Sequence, residues 1–143
     1  MSFDDLPDGW QDRPMTDPEL FDDIVDLVVN DHDRRNGALY LLLCDDQARL
    51  LQPCAIDDLP PGVENDPRAI APFVGALLQH CPDAGLVVVV ARPGEASPRE
   101  TDVRWMRTAE AACAAGKVRL LATAVATPTG VVRLSADRAQ ACG

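Results

Sequence analysis

The sequence predicts a single α/β domain, a mixed five-stranded sheet with helices packed on it in layers. Three observations carry this. Apolar residues recur at helical spacing in three segments, and short continuous apolar runs alternate with them. Turn signals join those runs into two hairpins. A helical segment lies on either side of the central run, giving the order α-β-β-α-β-α-β-β. Two hairpins around helical crossovers mix antiparallel with parallel pairing.

Thr16-Asp17-Pro18-Glu19 reads as a capping box, with Thr16 as N-cap and Glu19 reaching back. Leu20, Ile24, Leu27 and Val28, widened by Phe21 and Val25, give the apolar stripe of a first helix over residues 17–33. Asp22, Asp23 and Asp26 lie on its other side. Asn36-Gly37 turns the chain into a buried strand at 38–44 (ALYLLLC). Asp45-Asp46-Gln47 makes a tight turn, and residues 49–56 (RLLQPCAI) return antiparallel. Pro53 places this second strand at an edge or a bulge, because proline lacks the N–H a central ladder needs.

Residues 57–65, with Pro60-Pro61-Gly62, form a loop. Asp66-Pro67 opens a second helix, whose stripe is Ile70, Phe73, Val74, Leu77 and Leu78, ending near Cys81. The run 85–91 (GLVVVVA) is the central strand, apolar on both faces. Ser97-Pro98-Arg99-Glu100 reads as another capping box, and its helix runs to Ala115 and stops at Gly116. A strand over 117–126, a turn at Thr127-Pro128-Thr129-Gly130 and a last strand over 131–134 complete the sheet. The domain spans 16–136. Residues 1–15 are acidic and loosely ordered apart from Trp10, which is apolar enough to dock, and residues 137–143 form a tail.

The 143 residues carry a net charge of −10. It is uneven: residues 1–36 hold eleven acids and three bases. Such a surface excludes phosphate-backbone binding and so nucleic acid. It fits either a basic partner or a solvated, solubilising face. Nothing reads as a membrane span or a leader, which implies no membrane association and a cytoplasmic location. Cys44, Cys54, Cys81, Cys113 and Cys142 show no CxxC pairing and an odd count, so they read as small core residues, with Cys142 an exposed thiol.

Chemistry is expected where the central strand ends, at residues 90–102 (VARPGEASPRETD). A strand running into a Gly/Pro loop and then a helix carrying Asp102 resembles the JAB/MPN metalloprotease superfamily, especially its bacterial RadC-type branch. The likeness covers roughly residues 37–135, and Gly130-Val131-Val132-Arg133-Leu134 matches the closing strand. It implies a cytidine-deaminase-like architecture. The family's strand ends in His-x-His-Pro and its helix carries Ser-x-x-Asp; the two His and the Asp hold zinc, and an upstream Glu activates the bound water. Here Val90 and Arg92 stand at the two His positions and Arg99 at the Ser, while Pro93 and Asp102 are retained. Asn36-Gly37 and Gln52 occupy the plausible places of the Glu. Val90, Arg92 and Asp102 are thus the remnant of a metal site, and catalytic zinc needs three protein ligands that they do not supply. No metal and no other cofactor is expected.

The leading expectation is therefore a non-catalytic protein-interaction or regulatory module. A second is a sensor: Arg92 and Arg99, with Ser97, bracket a helix N-terminus and would hold an anionic metabolite, unless they pair with Glu95 and Asp102. A third is a thiol enzyme using Cys44 or Cys54, although neither has a neighbouring His in sequence. Ser97 and Glu100 are explained by capping, and His32 and His80 read as solvated or helix-end residues. Asp57, Asp58, Glu64 and Asp66 lack calcium-loop spacing. Trp105, beside Arg104, is expected off the buried side marked by Val103 and Met106. It either anchors a homodimer or partner interface or packs under the N-terminal segment.

Overall fold

The computed structural model describes residues 8–57, 62, 66, 68, 70–80 and 83–134. Its elements are α1 (Phe21–Val28), α2 (Asp31–Asn36), β1 (Ala38–Cys44), β2 (Leu50–Ile56), α3 (Ala71–His80), β3 (Gly85–Ala91), α4 (Glu100–Gly116), β4 (Arg119–Thr127) and β5 (Gly130–Leu134). They build one α/β domain around a mixed five-stranded sheet of order β2-β1-β3-β4-β5. Among the described residues, only β3 and β4 pair in parallel. The expected central strand is central, and every residue of it is buried. Pro53 lies on the edge strand, opposite Leu42.

The period of two along the strands divides the core. Tyr40, Leu42, Val87, Val89 and Ala124 face one side, where Phe21, Ile24 and Val25 of α1 cover them together with Trp10 and Met15. Leu39, Leu41, Val88, Val90 and Val125 face the other, under Val74 of α3 and Trp105, Met106 and Ala109 of α4. The apolar layer over the first face therefore reaches upstream of Thr16. Arg133 links β5 to it, with its guanidinium 4.8 Å from the Phe21 ring centroid and Nη1 donating to the Thr16 carbonyl at 3.2 Å.

Several boundaries depart from the sequence reading. The first helix is two. Val29 leaves helical geometry, and the Asn30 side chain accepts from the Asp33 N–H at 2.8 Å, capping α2. The buried Arg34 holds this break together. It donates to the carbonyls of Asp26, Val29 and Thr127 and pairs with Asp26 Oδ1 at 2.7 Å. Ahead of α1, Asp17 Oδ1 accepts from the Glu19 N–H at 2.9 Å, and Glu19 Oε2 lies 3.5 Å from Arg13, so the cap reaches back to neither Thr16 nor its backbone. α3 starts at Ala71; Ile70 and Val74 are buried as expected, but Phe73 is 39% exposed.

α4 ends at Gly116 as expected, but the left-handed residue is Lys117, at φ 59°, and not the glycine. The glycine answers packing: a Cβ there would stand 2.2 Å from Val74 Cγ1 of α3. Most of the loop at 57–65, the segment beyond 134, Cys81, Cys142 and the His80 side chain lie outside the described residues. Among those described, no helix is long and apolar enough to cross a membrane.

Candidate functional site

Antiparallel pairing sets Ala38 of β1 opposite Ala91 of β3, so the α2–β1 and β3–α4 junctions meet at one end of the sheet. A cleft of about 320 Å³ opens between them. His32, Asp33 and Asn36 of α2 line it, with Gly37, Ala38 and Asp57 and with Thr101 and Asp102 of α4. Val90, Arg92 and Trp105 line it as well, so Val90, Arg92 and Asp102, expected as the remnant of a metal site, lie together. Val90 and Trp105 are 6% and 4% exposed.

Arg92 organises this end of the molecule. Its own N–H still donates to Ala126 of β4, at 3.1 Å. The side chain then meets Asp102, which is fully buried: Nε lies 2.9 and 3.2 Å from the two carboxylate oxygens and Nη2 lies 2.8 Å from Oδ2. Nη1 donates to the carbonyls of Pro93 and Glu95, both at 3.1 Å, and Nη2 to that of Ser97 at 2.7 Å. Every N–H of the guanidinium fork is thereby spent inside the chain. The β3–α4 loop is wrapped around a cation that the protein itself supplies.

Asp102 has a second task. Its Oδ2 accepts from the Arg99 N–H at 2.9 Å, closing the first turn of α4. The capping acid at the third helical position is thus Asp102, with Arg99 as N-cap, and not Glu100 answering Ser97. Arginine has no acceptor to return the bond, so only one half of a capping box exists. The Arg99 guanidinium lies against Gly94, whose φ is 98°, with Nη2 2.4 Å from where a Cβ would stand. Arg99 forms no ion pair among the described residues. The proposed anion pocket at Arg92, Arg99 and Ser97 therefore loses Arg92 as a donor.

Trp105 is not an exposed anchor. The buried face of α4 runs through Asp102, Trp105, Met106, Ala109, Ala112 and Cys113, at helical spacing from Asp102. Its own chain covers Trp105, which removes it from any interface. Arg104 is exposed and pairs with Glu100 one turn earlier.

On the opposite wall, the Tyr40 hydroxyl donates to Asp33 Oδ2, and the Asn30 N–H approaches the same hydroxyl at 3.5 Å. Burial, then the Asp33 carboxylate, push the Tyr40 phenol up to about 12. Asn36 Nδ2 donates to the His32 carbonyl at 2.8 Å and lies 3.3 Å from its Nδ1. His32 is thus held in the first turn of α2, exposed. Cys44 is pushed up to about 12 by burial, then by Asp45, and Cys113 to about 11 by burial, so neither is an activated thiol. Sequence reasoning missed Asp33 and Asp57 as cleft residues. Neither belongs to a motif, and only the sheet register brings them to the same place. A comparison of the sequence with models of known protein families gave no match, and neither did one with curated proteins.

Proposed function

We propose that this chain is a non-catalytic module of JAB/MPN-like design that works by binding, as a protein-interaction or regulatory domain. The observation that carries the reading is the Arg92–Asp102 clamp. In the resembled family a zinc ion would use the Asp102 carboxylate, but both oxygens already accept from Arg92 and one also accepts from the Arg99 backbone. A guanidinium at that point repels a cation, and Val90 offers only hydrocarbon. These residues do not fit zinc. The layered α/β build, with Asp102 opening the helix after the central strand, supports the resemblance in design.

An acidic first third favours a basic protein partner. The anionic-metabolite reading draws less support, because Arg92 has no donor left to offer. On this reading the setting is the cytoplasm, where Cys44, Cys54 and Cys113 stay free thiols.

The test is elemental analysis of the purified protein after zinc loading and dialysis, together with an isopeptide-hydrolysis assay. The expected result is zinc far below one equivalent and no turnover. One retained equivalent that Asp102→Ala abolishes, or turnover above a boiled control, overturns the proposal.

A further inference from the structure

We infer that residues 93–98, which lead from β3 to α4, form a strap that opens as one unit while the rest of the domain stays folded, with Arg92 as its latch. The inference goes beyond the binding role proposed above and does not depend on it. The strap runs between two fixed points: Ala91, the last residue of β3, and Asp102, in the first turn of α4, are both buried. No residue of the strap is buried; Pro93, Gly94, Glu95 and Ser97 are exposed, and Ala96 and Pro98 are half-buried. Lifting it therefore uncovers little apolar surface. Segments with that property open at a free energy below that of global unfolding.

The ties that hold the strap down are polar and converge on one side chain. Arg92 Nη1 reaches the carbonyls of Pro93 and Glu95, and Nη2 reaches that of Ser97. The guanidinium is planar and rigid, so a movement that breaks one of these bonds misaligns the others, and the three carbonyls leave together. The latch itself stays anchored when they leave, because Nε and Nη2 still hold both oxygens of Asp102. Two weaker ties flank it. The Ala96 N–H donates to Thr129 Oγ1 of the β4–β5 turn at 3.1 Å, and the Arg99 side chain folds back from the start of α4 against Gly94. In the closed form every guanidinium N–H is spent inside the chain. Opening frees both N–H groups of Nη1 and one of Nη2. The strap thus decides whether Arg92, at the rim of the cleft between α2 and α4, is occupied or offered outward.

The test is native-state hydrogen exchange of the full chain, read by ¹H–¹⁵N NMR at urea concentrations below the unfolding transition. Two amides report on the strap: that of Ala96, and that of Ser97, which donates to the Glu95 carbonyl at 2.9 Å. Neither is bonded to Arg92. Both should be protected in the parent and exchange with little dependence on urea, whereas the amides of β3 should follow global unfolding with its full slope. Arg92→Lys keeps a charge beside Asp102 but replaces the fork with a point donor. Relative to β3, both reporters should then exchange at least about tenfold faster, the worth of one lost hydrogen bond. Thr129→Val deletes only the acceptor of Ala96, yet Ser97 should accelerate with it. Gly94→Ala, which puts a Cβ at φ 98° and displaces the Arg99 side chain, should do the same with Arg92 untouched. The inference is overturned by unprotected reporters in the parent or by reporters that share the urea slope of β3. It is equally overturned if Arg92→Lys moves neither reporter relative to β3, or if Thr129→Val accelerates Ala96 alone. Such a failure leaves the zinc and hydrolysis results untouched, so the two proposals fail separately.

Discussion

Replacing Arg92 by alanine strands the Asp102 carboxylate in the core with the Arg99 backbone N–H as its only donor among the described residues. The Arg92 side chain is 12% exposed and that of Asp102 is fully buried, so the pair belongs to the interior class. Breaking such a pair from one side costs about 3–5 kcal/mol, because the remaining charge stays desolvated. The carbonyls of Pro93, Glu95 and Ser97 add little, since those residues are exposed and water replaces the lost donor. Against a domain stability of about 5–15 kcal/mol this is a large fraction. At roughly 3 °C per kcal/mol for a chain of this size, the melting temperature should fall by about 10–15 °C. Urea unfolding at neutral pH reads the loss as a lower midpoint with an unchanged slope. Arg92→Met with Asp102→Leu should recover most of it, because an apolar pair of similar volume carries no desolvation penalty. A loss below about 1 kcal/mol for Arg92→Ala, or one that vanishes in 1 M salt, would mark the bridge as a surface pair and refute the reasoning.

Three further outcomes follow from local geometry. Tyr40 is the chain's one tyrosine, and its folded pKa of about 12 stands above the ordinary value near 10. Its contribution is fully present below about pH 10 and is lost as pH rises through 12, so alkaline titration at 295 nm should show no phenolate until the protein unfolds, and Tyr40→Phe should flatten the fall in stability over that window. Gly116→Ala should destabilise by about 1–3 kcal/mol through the clash with Val74, and adding Val74→Ala should relieve it; equal stability of Gly116→Ala and the parent would contradict the close approach. In a Cys81→Ser/Cys142→Ser background, the half-exposed Cys54 should react first with a disulfide reagent, with Cys44 and Cys113 protected until unfolding; simultaneous reaction of all three would contradict their burial.

The sheet was legible because its signals are redundant. The run at 85–91 is apolar at every position, as a strand covered on both faces must be, and Pro53 marks an edge by chemistry alone. The break between α1 and α2 was not legible. Asn30 interrupts a sequence whose apolar and polar spacing continues to fit one helix, and its capping role shows only when its side chain is seen accepting from Asp33. The setting of Arg34 was not legible either: no motif marks it, and only the fold shows it buried among carbonyls drawn from α1, the α1–α2 junction and the far end of β4.

The same cause hid the site. A stripe begun at Val103 and Met106 leaves Trp105 outside; begun at Asp102, it runs through Trp105, Met106, Ala109, Ala112 and Cys113 as one face. A carboxylate joins an apolar stripe only when something neutralises it, and the neutralising group, Arg92, lies ten residues away across a loop. Sequence alone placed Arg92 and Asp102 at the right end of the right strand, and even named their pairing as one alternative to an anion pocket. It did not show that this pairing and the loop carbonyls absorb every donor of the guanidinium, or that Trp105 lies on the buried face of α4. Once that is fixed, the acids left lining the cleft are Asp33 and Asp57, which no motif contains.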